Sequence, residues 1–221
     1  MSGASRQVDH GSVKEDPRVK GSPLFLLARA IFRVTFRLFF RLKVTGAENV
    51  PADGGVLVAS NHQSFFDPII VAISNRRSVF FMARDSLFRS RYFGWLLRNV
   101  GAFPVRRGAP DRKALRDAVE RLQAGAVLLV FPEGTRTRDG SLGPLRSGPA
   151  MLAFRAGVPI VPAVIKGAVD AWPRTKKIFR FRPISIAYGR PLPPPATGER
   201  ETCDEIRRKL QDSLESLMQE A

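Results

Sequence analysis

Cysteine is nearly absent: Cys203 is the single one in 221 residues. That excludes an internal disulfide framework, leaves no thiolate metal cluster and suits a reducing compartment. Histidine is almost as scarce, with only His10 and His62, and no carboxylates cluster at ligand spacing, so a structural zinc site is not expected. Acidic residues are outnumbered 20 to 36 by lysine and arginine, a formal charge of +16. Such a surface should attract phosphates, whether on nucleic acid, anionic lipid or a small substrate. Long uncharged apolar runs are missing too. The most apolar stretch, residues 23–44, is interrupted by Arg29, Arg33, Arg37 and Arg41. A membrane span needs about 20 residues almost free of charge, and one central arginine costs roughly 2.5–3.5 kcal/mol on insertion scales. A spanning helix is therefore not expected, and no apolar core beside the start marks a secretory signal.

What remains is 44% apolar sequence, enough for one sizeable core in a chain too short to need two. The pattern predicts a single α/β domain whose central, mostly parallel sheet is flanked by helices, with an N-terminal amphipathic membrane-docking helix added. Residues 1–21 are polar and without period, which predicts a disordered tail. Over residues 22–43 the four arginines recur every fourth position, one drifting stripe on a helix, while Phe25, Ile31, Phe32, Phe36, Leu38, Phe39 and Phe40 cover much of the rest. Such a helix suits the headgroup plane, arginines on anionic lipid and phenylalanines below. A helix packed on the domain with its arginines in water is the alternative.

Residues 44–195 carry the α/β pattern. Leu42–Gly46 reads as a leading strand, and Val56–Ala59, Ser78–Ala83, Ala126–Phe131 and Val158–Ile165 read as buried strands. A short strand at Gly101–Val105 and an edge strand at Pro183–Gly189 complete the set. Arg84–Leu97 is basic and aromatic, either a second interfacial patch or a helix whose Phe88, Phe93 and Trp95 enter the core. Asp111–Ala124 is helical by period, with Leu115, Val119 and Leu122 on one face and Gly125 as its stop. Residues 196–221 form a terminal amphipathic helix started by a Thr202/Glu205 capping box, with Ile206, Leu210, Leu214 and Leu217 turned to the body.

The candidate chemistry lies in three loops. His62 and Asp67 follow the strand that ends at Ala59, and an Asp accepting from one ring nitrogen leaves the other free to take a proton. Taken alone the pair reads equally as a helix-capping Asp beside a His satisfied by backbone. Five residues apart on one helix they would diverge, so His62 should lie in a loop, with Asp67 capping the helix that begins at Pro68. Arg106 and Arg107 follow the Gly101 strand. Pro132-Glu133-Gly134-Thr135-Arg136 leaves the carboxyl end of the strongest strand, where open α/β sheets place ligands, and Arg146 precedes a helix start whose free donors make an anion seat.

In order, Asn61-His62-Gln63-Ser64-Phe65-Phe66-Asp67, Gly101 to Arg107, Phe131-Pro132-Glu133-Gly134-Thr135-Arg136 and Val158-Pro159-Ile160-Val161-Pro162 match four blocks of a known family. The chain resembles the glycerolipid acyltransferases over roughly residues 43–190, most like the bacterial 1-acylglycerol-3-phosphate members. The resemblance implies that His62 is the base and Asp67 its orienting carboxylate. Arg107, Glu133, Gly134, Thr135 and Arg136 then bind the acceptor, with Arg106 and Arg146 as further substrate-binding candidates. Since a carboxylate repels phosphate, Glu133 is expected to orient Arg136 or Arg107 or to accept from a glycerol hydroxyl. The implied reaction moves an acyl group from acyl-CoA or acyl carrier protein to lysophosphatidic acid or a related lysophospholipid, giving phosphatidic acid, with no cofactor or metal. A thioesterase using the same pair on water and a non-catalytic anion binder are the competing readings. The implied partners are an anionic membrane surface and the two substrates, not nucleic acid, and the implied location is the cytoplasmic face, peripheral or monotopic. Two positions depart from the pattern: Arg106 stands where an acidic residue is common, and Arg84 where Lys is common.

Overall fold

A computed structural model describes residues 23–106, 111–173, 175–176 and 178–220. In chain order the elements are α1 (Pro23–Phe39), β1 (Lys43–Thr45), β2 (Val56–Ser60), α2 (Asp67–Ser74), β3 (Val79–Arg84), α3 (Arg91–Asn99), β4 (Ala102–Val105), α4 (Arg112–Gln123), β5 (Val127–Val130), α5 (Gly148–Ala156), β6 (Ile160–Lys166), α6 (Ala168–Ala171), β7 (Ser185–Tyr188) and α7 (Arg200–Glu220). The strands form one sheet in the order β1-β7-β6-β2-β5-β3-β4. Every pairing is parallel except β6 with β7. The β7 strand, expected at an edge, is interior, because Lys43–Thr45 pairs outside it and becomes the edge itself.

The continuous apolar runs become the central strands because both of their faces are covered. Alternation along β2 sorts the core: Val56 and Val58 pack with residues of α1 and α2, while Leu57 and Ala59 pack with residues of α4, α5 and α7. Asp111 caps α4 by accepting from the Ala114 N–H at 3.1 Å, and Gly125 ends it with φ 88. On α7, Cys203, Ile206, Leu210 and Leu214 are buried at helical spacing. That helix starts two residues before Thr202, whose hydroxyl instead donates to the carbonyl oxygens of Thr197 and Glu199, and Glu205 pairs with Lys209. Trp95 is 56% exposed on α3, so it does not enter the core.

The N-terminal helix differs from its sequence-based picture. Arg33 Nε donates to the Ile73 carbonyl at 2.8 Å, and Arg29 and Arg33 both donate to the Asn75 carbonyl. These are the last carbonyls of α2, where unsatisfied acceptors and the helix dipole favour a cation. Half of the arginine stripe therefore docks the helix on the domain. Phe36 and Phe40 are buried, stacked at 4.6 Å and edge-on to Phe66. The outward face is left to Leu26, Leu27, Ile31, Phe32, Val34, Leu38 and Phe39, all exposed.

Candidate active site

Adjacent parallel strands bring the first and third motifs together. Ala59 on β2 pairs with Val130 on β5, so the loops leaving the two carboxyl ends start one strand spacing apart, about 4.8 Å. Asn61 fixes the first loop by acting as a peptide surrogate: its Nδ2 donates to the Ile165 carbonyl at 2.9 Å and its Oδ1 accepts from the Ile165 N–H at 2.8 Å. Gln63 donates to the same Ile165 carbonyl, and Ser64 Oγ donates to the Trp172 carbonyl at 2.8 Å. These polar side chains are buried, so their partners are what makes the burial tolerable.

His62 lies in that loop with its side chain 15% exposed. Its Nδ1 is 2.7 Å from Asp67 Oδ2, and the same oxygen accepts from the Gln63 and Ser64 N–H groups, both at 2.7 Å. The Asp67 carboxylate is wholly buried. It turns back over the loop instead of forward over α2, so the expected side-chain cap on Pro68 is not made; the helix includes Asp67 and begins from Phe66 without a side-chain cap. Three donors converging on one carboxylate oxygen supply the reason. With Nδ1 committed to a carboxylate, Nε2 is the nitrogen that can accept a proton. Phe131 stacks on the imidazole at 3.9 Å between centroids, covering one face.

Glu133 has a role that its position in the motif does not reveal. Its Oε1 accepts from the His62 N–H at 2.7 Å and its Oε2 from the Gly143 N–H at 2.9 Å. The carboxylate expected to orient an arginine or meet a glycerol hydroxyl is occupied by backbone donors on two loops. Burial pushes its carboxyl above the ordinary range, against the opposing pull of those two N–H groups. Thr137 ties the loops once more, donating its N–H to the His62 carbonyl at 2.8 Å.

Beyond this junction the third motif opens to solvent. Gly134 holds φ 73, and a Cβ there would come within 3.0 Å of Arg146 Nε, so the Arg146 guanidinium lies over the glycine backbone. Arg146 is positioned by its own N–H, which donates to the Pro132 carbonyl at 3.0 Å, just before Ser147 and the start of α5. The Arg136 guanidinium sits 3.7 Å from the centre of the Phe65 ring. Thr135 is exposed between them. Arg106 is exposed, and its N–H donates to Asp111 Oδ2 at 3.0 Å. Arg107 lies outside the described residues. No group of three or more His, Cys, Asp or Glu side chains able to hold a metal ion occurs among the described residues.

Sequence reasoning missed Asn61, Gln63 and Ser64 as loop-fixing side chains. Their signal was available as a run of short polar residues directly after a buried strand, where burial demands partners.

Fold and site together define an α/β protein with a His–Asp dyad and a basic, glycine-containing loop at the carboxyl ends of its central strands. The acyltransferase family profile matches residues 41–166. A chloroplast 1-acyl-sn-glycerol-3-phosphate acyltransferase of Brassica napus is 31% identical over 182 residues, 80% of this chain and 52% of that protein. A 1-acyl-sn-glycerol-3-phosphate acyltransferase of Bacillus subtilis is 30% identical over 152 residues, 68% of this chain and 73% of that one. The crystal structure of the 1-acyl-sn-glycerophosphate acyltransferase PlsC from Thermotoga maritima superposes with a TM-score of 0.75 at 27% identity, covering 89% of this chain and 79% of that one. The chain belongs to the acyltransferase family. It spans about half the length of the plant chloroplast relatives that it matches.

Proposed function

We propose that this protein transfers a fatty acyl group from a thioester to the free hydroxyl of 1-acyl-sn-glycerol 3-phosphate, forming phosphatidic acid. The observation that carries the reading is the buried Asp67 carboxylate on His62 Nδ1, which leaves Nε2 to act at the end of β2 beside the Gly134–Arg146 loop. Nε2 takes the hydroxyl proton as the oxygen attacks the thioester carbonyl. The C–O bond forms, the tetrahedral intermediate collapses with loss of the C–S bond, and the imidazolium returns its proton to the departing thiolate. Asp67 stabilises the imidazolium between those steps. Arg136, Arg146 and the Gly134–Thr135 backbone receive the acceptor phosphate, and Arg106 and Arg107 are further candidates for binding it. Glu133 holds His62 in place. No cofactor or metal takes part in these steps.

The acceptor is a lipid, and the exposed apolar face of α1 supports a peripheral or monotopic seat on an anionic cytoplasmic membrane face. Among the described residues no helix is long and apolar enough to cross a membrane. With two of its arginines spent on α2, the helix meets lipid chiefly through its apolar residues, and Arg37 and Arg41 remain exposed for the headgroups.

The test is incubation of purified protein in anionic vesicles with acyl-CoA and 1-acyl-sn-glycerol 3-phosphate. Phosphatidic acid should form, and His62→Ala should reduce the rate by at least about 10²-fold, within the usual worth of general-base assistance. Thiol release that needs no acceptor would replace this reading with a thioesterase.

A further inference from the structure

An open cleft of about 510 Å³ is lined mainly by residues that connect β6 to β7, and β6 lies on the other side of β2 from β5, whose following loop carries Arg146. Arg138, Lys176, Arg180 and Arg182 line it, with Asp139 and Asp170 as its carboxylates. Asp139 is turned onto its own loop, accepting at Oδ1 from the Ser141 N–H at 3.1 Å and its hydroxyl at 2.7 Å, which lowers its carboxyl below the ordinary range. None of the four cationic side chains forms an ion pair with a described residue.

The arginines of the β6–β7 connection are presented by an alternating segment, Phe179-Arg180-Phe181-Arg182. Phe179 and Phe181 pack on Phe40 at 6.1 and 5.3 Å between centroids, and Phe181 also meets Phe39 at 5.2 Å. The Arg180 N–H donates to the Ala171 carbonyl at 2.7 Å, pinning the segment to α6. An extended chain sends alternate side chains to opposite sides, so fastening the aromatics on α1 leaves both arginines for the cleft. The fourth cation arrives from the β5 loop. That loop crosses the dyad loop where Gly140 closes on Gln63 Oε1 and Val169, placing Arg138 one residue beyond the Thr137 N–H that holds the His62 carbonyl.

The dyad is thus flanked by two separate cationic seats. We propose that this second cleft receives the phosphorylated nucleotide end of a coenzyme A thioester, with its pantetheine arm running along the Gln63 side to His62. The inference rests on the acyl-transfer reading. That reaction joins two anionic substrates, and the Gly134–Arg146 loop is already assigned to the acceptor phosphate. A concave site with several cations that form no ion pair among the described residues fits a small polyphosphate better than the convex acidic surface of a carrier protein, and guanidinium forks match phosphate geometry.

The test uses the full chain carrying Arg180→Ala and Arg182→Ala together, with Arg138→Ala as an independent variant from a different loop. Calorimetry with coenzyme A and with adenosine 3',5'-bisphosphate reads the cleft without any acyl transfer, and affinity for both should fall about tenfold per arginine removed. In the transfer assay the KM for acyl-CoA should rise in step. The KM for the N-acetylcysteamine thioester of the same acyl group, which lacks the nucleotide, and the KM for the acceptor should stay unchanged. Unchanged coenzyme A affinity, an equal rise for both thioesters, a rise confined to the acceptor, or a rise confined to acyl carrier protein would each overturn the assignment. If wild-type protein binds coenzyme A through these arginines yet acylates no acceptor, the acyl-transfer reading fails and the cleft stands. If it acylates while the variants keep wild-type KM values, the cleft fails and the reading stands.

Discussion

Replacing Glu133 with glutamine separates a positioning carboxylate from a substrate-binding one. In the wild type both oxygens accept from backbone N–H groups, at 2.7 Å from His62 and 2.9 Å from Gly143. Hydrogen bonds to a charged partner contribute about 1.5–3 kcal/mol each. Glutamine keeps one acceptor oxygen and offers an NH₂ to the second donor, so one bond weakens to about 1 kcal/mol and the other is lost with an N–H left facing a donor. Removing a buried charge offsets part of this, since burial is what raises the Glu133 carboxyl. A net cost of about 2 kcal/mol remains, which in a chain of this size lowers Tm by about 4–8 °C. Loosening the tie to the His62 backbone should reduce kcat by roughly 10- to 100-fold, because small displacements of a reacting group are expensive. The acceptor KM should change by less than about twofold. The pH dependence has a definite sign. A carboxyl raised in the folded state adds stability below its ordinary range and loses it as pH climbs through the raised value. The Tm gap between wild type and Glu133→Gln should therefore widen as thermal melts are moved from neutral into the acid range. An unchanged Tm with a rise in acceptor KM alone would refute the positioning role and restore Glu133 as a substrate contact.

Asp67→Asn should keep an acceptor near His62 Nδ1 but remove the charge opposite the imidazolium, lowering kcat by roughly 10²-fold in steady-state assays while both KM values hold. Gly134→Ala forces a side chain onto φ 73, costing about 1–2 kcal/mol, and pushes against Arg146 at 3.0 Å; the acceptor KM should rise severalfold with the donor KM unchanged. On α1 two variants should part company. Ile31→Ser with Leu38→Ser should cut co-sedimentation with anionic vesicles more than tenfold at constant Tm, whereas Arg33→Ala should lower Tm by a few degrees and leave vesicle binding nearly intact.

The parallel sheet was legible because its central strands are covered on both faces and so appear as continuous apolar runs, as in Val127–Val130. The site loops were legible because Pro, Gly and charged residues follow those runs directly. Strand order was not. Nothing in Ser185–Tyr188 announces that it lies inside β1 and antiparallel to β6, since that depends on where Lys43–Thr45 finds a partner. The facing of α1 was misread for a related reason. A stripe of arginines at helical spacing reads as a face for lipid headgroups, but Arg29 and Arg33 meet the last carbonyls of α2, while apolar residues such as Ile31 and Leu38 stay exposed. Periodicity finds faces and leaves open which of them the rest of the chain will cover.

The spacing of His62 and Asp67 follows from backbone closure. A carboxylate that accepts from the N–H groups three and four residues before it must begin a helix while the chain ahead of it curls over its side chain. In that curl the next residue back, His62, projects its ring onto the same oxygen. Moving Asp67 one residue later would carry the carboxylate about 100° around the helix, away from all three donors at once. The interval is thus set by the two backbone bonds, and the imidazole uses a carboxylate that the loop already needs for its own shape. Removing the carboxylate accordingly loosens the loop along with the base. Asp67→Ala should lower both Tm and kcat, while His62→Ala, which leaves the Gln63 and Ser64 bonds in place, should lower kcat far more than Tm. Equal Tm losses in the two variants would show that the histidine, not the backbone, shapes the turn.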